Sequence, residues 1–173
     1  MSLRSNAIEG GAARIGEATA ADAGDLAALY DEALAPGWPA WEIETACTDP
    51  NRAVLKAADG AQVHGFIILQ FAGDEAEILA VAVRKSRRRL GHAASLLGAG
   101  ISACERRLSS CIYLEVAESN TPARKLYEKF GFLVAGRRKD YYRRSASSTA
   151  ETALIMRRDA KLSTPVDLEK SCT

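Results

Sequence analysis

The chain alternates between short apolar runs, partly β-branched, and longer segments whose apolar residues recur every three or four positions. The first pattern is that of strands, the second that of amphipathic helices. A short strand is predicted near Arg14 to Ala18. Asp22 then offers a helix N-cap, and Leu26, Leu29, Tyr30 and Ala33 recur at helical spacing up to Leu34. Pro36, Gly37 and Pro39 break this helix and leave Trp38 and Trp41 on or beside a loop that leads into a short helix around Glu42 to Thr48. Loop aromatics often line substrate sites, but two indoles capping the edge of a core fit the pattern equally well. Asp49-Pro50-Asn51 is a turn, Ala53 to Ala57 a strand, Asp59-Gly60 a hairpin signal, and Val63 to Phe71 a second strand. After Gly73-Asp74, Glu77 to Val83 makes a third antiparallel strand.

The second half is punctuated more sharply. A helix is predicted over Gly91 to Leu108, with Leu97, Ile101, Cys104 and Leu108 on one stripe, followed by a strand over Cys111 to Val116. Asn120 or Thr121 as cap, Pro122 in the first turn and Gly131 just past the end bound a helix over Pro122 to Phe130. Two strands, Phe132 to Arg138 and Thr152 to Arg157, finish the pattern, joined by the basic, serine-rich segment Lys139 to Ala150. No internal repeat interrupts it. This order predicts an α/β fold with a mixed sheet, in which a nucleotide-like cofactor is the default ligand.

The segment Arg84 to Ala94 narrows the chemistry. An apolar strand runs into five basic residues among the six from Arg84 to Arg89, then into small residues that open a helix. Backbone N–H groups at a helix N-terminus lack intrahelical partners and carry partial positive charge, so Arg88, Arg89, Leu90, Gly91, His92, Ala93 and Ala94 can wrap a diphosphate. Gly91, Ala93 and Ala94 matter by being small, because a bulky side chain would hold the backbone away from the anion. A solvated basic face is the competing reading of the same residues.

Composition sets limits on the rest. A chain of 173 residues with 47% hydrophobic content fits one compact domain, read here as residues 13–158, with flexible segments at 1–12 and 159–173. A net charge of +1 argues against a dedicated nucleic-acid binder, although local basic clusters exist. Cys47, Cys104, Cys111 and Cys172 form no C-x-x-C pair, and with His64 and His92 they suggest no metal site. Cys104 and Cys111 read as small buried hydrophobes suited to a reducing cytoplasm. No apolar run approaches the ~20 residues of a membrane span, and no secretory signal opens the chain. A soluble cytoplasmic protein without a membrane partner, monomeric or homodimeric, is expected.

Arg88-Arg89-Leu90-Gly91-His92-Ala93 resembles the R/Q-x-x-G-x-G/A diphosphate loop of the GNAT acetyltransferase superfamily. Leu114 to Asn120, Ala123, Leu126 to Phe132 and Arg137 to Tyr142 are similar to the ribosomal-protein alanine N-acetyltransferases within it, over roughly residues 14 to 158. The resemblance implies the GNAT fold, a mixed sheet of six to seven strands splayed at the cofactor, with about four helices. It implies acetyl-CoA as cosubstrate, no metal, and an amine acceptor that is a peptide N-terminus or a small molecule. Val81, Ala82 and Val83 would meet the pantetheine through their backbone, Arg88 to Ala94 the diphosphate, and Asn120 the cofactor, besides its role as a cap. Glu115 and Tyr127 match the family's general base and general acid for direct transfer. From the residues alone, Glu115 reads rather as a strand-end carboxylate satisfied by a nearby arginine, and Tyr127 as a core aromatic.

One departure bears on the acceptor: Trp38-Pro39-Ala40-Trp41 alters the spacing of the proline-tryptophan step usual after the first helix. Ala93 replaces the family's second glycine, a change that should leave CoA binding intact. Arg137, Arg138, Lys139, Arg143 and Arg144 would repel a very basic amine unless paired, which favours an acceptor with carboxylates or a peptide backbone. A small-amine acetyltransferase is the alternative enzyme, and a non-catalytic CoA-binding or RNA-associated module the alternative outside catalysis.

Overall fold

The computed structural model describes residues 13–34, 36–142 and 151–160. The terminal segments read as flexible, Cys172, Arg143, Arg144 and most of the stretch from Lys139 to Ala150 lie outside these residues. Among the described residues, seven strands and four α-helices occur in the order expected. The described residues fall into two compact units, one reaching to Phe71 and taking in Ile78–Ala103, the other holding Ala72–Glu77 and the chain from Cys104. No helix among them is long and apolar enough to cross a membrane.

The first unit begins with β1 (Arg14–Glu17), α1 (Ala23–Leu34) and α2 (Ala40–Thr48). It continues with β2 (Arg52–Asp59), β3 (Gln62–Ala72) and β4 (Glu75–Val83), with strand order β1-β2-β3-β4. β1 and β3 both pair antiparallel to β2, and the β2–β3 hairpin turns at Gly60, whose φ of 56° suits a residue without a Cβ. β3 is apolar on both faces and buried almost throughout. Phe66 and Ile68 pack with Leu26, Leu29 and Tyr30 of α1 and Ile43 of α2. Gly100, in α3 (His92–Arg106), accommodates Ile67 on the other face, since a Cβ there would lie 2.8 Å from the Ile67 Cδ1. Each large side chain so buried contributes roughly 1.5–3 kcal/mol.

The second unit orders its strands β5 (Cys111–Ala117), β7 (Glu151–Asp159) and β6 (Leu133–Tyr142), both pairings antiparallel. Ile112, Leu114 and Val116 are buried, as are Leu154 and Met156 of β7. α4 (Thr121–Lys129) starts at the Asn120 cap and stops in a Schellman motif, with Gly131 at φ 85° and the Phe132 N–H donating to the Tyr127 carbonyl at 3.1 Å.

Four local expectations are corrected. Asp22 does not cap α1 as its N-terminal residue. It closes the preceding 3-10 turn Ala20–Asp22, where its carboxylate accepts from the Thr19 N–H at 2.8 Å and pairs with Lys56. Leu108 leaves the helical stripe: α3 ends at Arg106, and Leu108 turns left-handed at φ 58° with 85% of its surface exposed. The Ser109 N–H returns to the Cys104 carbonyl at 3.0 Å, so this stop uses a residue other than glycine. Trp41 lies within α2 and is exposed, whereas Trp38 stays in the loop, half-buried, 6.0 Å from the Tyr30 ring and beneath the Arg52 guanidinium. β6 and β7 run beyond the apolar pattern, because ladder pairing continues to Tyr142 and Glu151.

Candidate active site

β4 leads into the basic turn. Arg84 is followed by a 3-10 turn over Lys85–Arg87, an extended Arg88, Arg89 at φ 66° and Gly91 at φ 85°, and α3 starts at His92. Left-handed residues so close together turn successive backbone N–H groups toward one concavity, the arrangement that receives anions. The Ser95 N–H closes on the Gly91 carbonyl at 3.0 Å, which leaves the N–H groups of His92, Ala93 and Ala94 in the first turn of the helix, at its positive end. A Cβ on Gly91 would meet nothing within 4 Å, so the space around it is open, and backbone conformation is what selects glycine there.

The basic run divides by role. Arg84 is tied to Glu32 at 3.2 Å and to the Val63 carbonyl at 3.4 Å, and Arg87 donates to Gln62 at 3.3 Å. Arg88 spends its Nε on the Val83 carbonyl at 3.2 Å, while Lys85 and Arg89 are exposed. Part of this run therefore builds the turn, and Lys85, Arg88 and Arg89 leave their charge at the surface. Beneath it the His64 ring, 1% exposed, stacks on His92 with centroids 5.5 Å apart, and its Nδ1 has no hydrogen-bond partner among the described residues. Burial holds the His64 pKa below its ordinary value, and the charges of Arg87, His92 and Arg84 act the same way against Asp59.

Glu115, Asn120 and Tyr127 belong to the second unit, on and around β5 and α4. β5 alternates, so Glu115 points away from the buried Leu114 and Val116. Its Oε1 pairs with Arg138 at 3.4 Å, the arginine partner anticipated for a strand carboxylate. Its Oε2 is buried and accepts no hydrogen bond among the described residues. That oxygen retains an acceptor lone pair for a proton. Burial pushes the Glu77 carboxyl up, and the nearby charge of Glu115 adds to the shift. Asn120 accepts from the Ala123 N–H at 3.3 Å, so its capping role is present. Tyr127 is 9% exposed and meets Phe132 edge-on at 5.9 Å.

Arg137 pairs with Glu118 at 3.3 Å and Arg138 with Glu115. The repulsion expected of these two arginines toward a basic amine is thereby offset. Burial pushes the Cys104 thiol up to about 11, so it stays protonated and cannot serve as a nucleophile near neutrality. No cluster of metal-ligating side chains occurs among the described residues. Glu32 and His64 lie against the β4–α3 loop and Glu77 lies near Glu115, positions that the sequence motifs do not mark. The alternation Glu75, Glu77 on an otherwise apolar strand is a signal for Glu77, and no local pattern marks the other two.

Residues 22–132 match the model of the acetyltransferase (GNAT) family. The chain is 33% identical over 135 residues to the ribosomal protein bS18-alanine N-acetyltransferase of Escherichia coli K12, an alignment covering 76% of this chain and 89% of that one. It is 38% identical over 102 residues to the enzyme of the same name from Haemophilus ducreyi, covering 59% of this chain and 70% of that relative. The crystal structure of the ribosomal-protein-S18-alanine N-acetyltransferase from Escherichia coli superposes with a TM-score of 0.77 at 27% identity, over 84% of this chain and 92% of that one.

Proposed function

The chain belongs to the acetyltransferase (GNAT) family, and from that premise we propose that it acetylates the N-terminal α-amino group of a protein, of the ribosomal-protein-alanine type, in the cytoplasm. Members of this family are acyltransferases that use acetyl-CoA and an amine acceptor. The acceptor reading is supported by relatives named for acetylating ribosomal protein bS18 at alanine, one of them aligned over 89% of its length. The domain that carries the activity is residues 13–158.

The residues of the β4–α3 loop fit a diphosphate. Gly91 is open to solvent, the first-turn N–H groups of α3 are donors, and Arg88 and Arg89 stand beside them. In the proposed reaction acetyl-CoA supplies the activated acetyl thioester. Arg88, Arg89, Leu90, Gly91, His92, Ala93 and Ala94 hold its diphosphate. Asn120, which caps α4, matches the family position that touches the cofactor. Backbone groups of Val81, Ala82 and Val83 line the pantetheine, and one N–H among them steadies the negative charge that grows on the carbonyl oxygen.

Glu115 collects the proton of the acceptor ammonium, whose pKa near 8 leaves little tuning to be done. The neutral nitrogen then forms the new C–N bond as the C–S bond breaks, and the second nitrogen proton, lost as the amide forms, passes to solvent. Tyr127 gives its phenolic proton to the departing sulfur, whose thiol has a pKa near 8.5, and recovers one from solvent. The protonated Cys104 thiol agrees with transfer that involves no acyl-enzyme. One observation carries the assignment of the base: the buried, unpartnered Oε2 of Glu115.

A turnover assay with acetyl-CoA, peptides differing in their N-terminal residue and a panel of small amines tests this reading. Peptides beginning with alanine are expected to be the best acceptors, and Tyr127→Phe to lower kcat about a hundredfold or more with acetyl-CoA affinity intact. Faster turnover of a small amine overturns the acceptor. Equal rates for wild type and variant overturn the acid.

A further inference from the structure

The geometry points to Glu32 as a positioning residue for the diphosphate loop, an inference that rests on the reading of that loop given above. Glu32 lies in the last turn of α1, 53 residues before the backbone it holds. Its Oε1 accepts the N–H of Lys85 at 2.8 Å, the first N–H of the 3-10 turn, and its Oε2 pairs with the Arg84 guanidinium at 3.2 Å. One carboxylate therefore grips both sides of the point where β4 ends and the loop begins.

The loop needs such a grip. Arg89 sits in the left-handed region, which disfavours every residue with a Cβ, and a strained residue persists only where its surroundings over-determine it. The turn's own contribution is small, a bond from the Arg87 N–H to the Arg84 carbonyl at 2.8 Å and a longer one from the Arg88 N–H to the Lys85 carbonyl at 3.4 Å. Arg84 itself is held at both ends by β3, its N–H on the His64 carbonyl at 2.8 Å and its Nε on the Val63 carbonyl. At Lys85 the backbone is held by Glu32, and further on the Arg87 side chain reaches Gln62 at 3.3 Å and the Arg88 side chain the Val83 carbonyl at 3.2 Å, so Glu32 fixes the start of the turn. A row of N–H donors binds an anion tightly only when it is ordered before the anion arrives. Glu32 supplies that order without touching the ligand, so removing it weakens acetyl-CoA binding and leaves the chemical step alone.

The test uses the full chain, with coenzyme A binding measured by calorimetry and turnover measured in parallel. Glu32→Ala is expected to weaken coenzyme A binding and raise the acetyl-CoA KM about tenfold, with kcat within twofold of wild type. Glu32→Gln keeps an oxygen for the Lys85 N–H and is expected to stay within threefold of wild type. Should Glu32→Ala fail to fold, Glu32→Asp, one methylene short of Lys85, must show the rise in KM instead. A Glu32→Ala protein that binds coenzyme A like wild type overturns the inference, as does a fall in kcat with KM unchanged. Wild-type protein that fails to bind coenzyme A overturns the reading of the loop as well, which separates the two failures.

Discussion

Two passages from strand to helix carry the proposed chemistry, and they are fixed by opposite means. Between β5 and α4 the chain secures itself: Asn120 caps the helix it precedes, Pro122 stands in its first turn and Gly131 ends it, all within the span of the helix and its flanks. Between β4 and α3 little is local. Glu32 arrives from α1, the His64 and Val63 carbonyls from β3, and Gln62 from the start of that strand. A helix such as α4 can rest on its own caps, whereas a loop in which left-handed residues stand close together takes its dihedrals from contacts outside it.

The largest expected effect tests the outside support. Gly65 lets β3 approach β4 just before the loop: a Cβ there would lie 2.7 Å from the Ala82 carbonyl oxygen and 3.1 Å from side-chain atoms of Leu96 and Val83. Backbone yields less readily than a side-chain tip, so Gly65→Ala should lose about 1–3 kcal/mol in urea unfolding. The acetyl-CoA KM should rise with it, since Ala82 and Val83 shift. Unfolding unchanged within about 0.5 kcal/mol, the scatter of innocuous substitutions, would mean that the strands part freely and that the loop is less dependent on β3 than the contacts indicate.

Asn120→Ala is the matching change in the self-secured passage, and about 1 kcal/mol of stability should go with the cap. Asn120→Ser separates its two roles, because serine caps about as well as asparagine. Stability is expected to return in the serine variant, while the acetyl-CoA KM stays about threefold above wild type if the proposed cofactor contact is made. A KM that recovers together with stability reduces Asn120 to a cap.

The same contrast explains what was legible in the sequence. α4 could be read almost to its ends because its signals are adjacent to it, and the order of strands and helices followed from periodicity. The motif Arg88 to Ala93 reads as a candidate diphosphate loop, since small residues and positive charge occur together there. Its anchors could not, because nothing near residue 85 announces that Glu32 will be its partner. Leu108 was misleading for a related reason: its spacing continues the stripe of Leu97, Ile101 and Cys104, and the left-handed stop that expels it is made by a leucine where glycine is the usual signal. The pairing of Arg138 with Glu115 joins residues 23 apart across the second unit. Charge counting along the chain gives the arginine but not its partner.

Acid provides the smallest and most selective way to divide the two passages. The chain has two histidines, His64 and His92, and both lie in the first unit beside the β4–α3 loop. Burial keeps the folded pKa of His64 below the 6.5 at which it titrates when unfolded, and the charges of Arg87, His92 and Arg84 outweigh that of Asp59 in the same direction. Below pH 6.5 the unfolded chain then takes up a proton that the folded chain resists, so stability is complete above that pH and falls as the pH drops through it. The urea midpoint of wild type should decline between about pH 6.5 and 5, above the ordinary carboxylate range, and His64→Gln should flatten that decline. Over the same interval the protection factors of amides in the loop and the first turn of α3, taken relative to their intrinsic exchange rates, should fall before those in α4. Equal loss of protection in both passages, or a decline that persists in His64→Gln, would show that the acid sensitivity does not arise at His64 and that the loop's foundation on β3 is no weaker than the caps of α4.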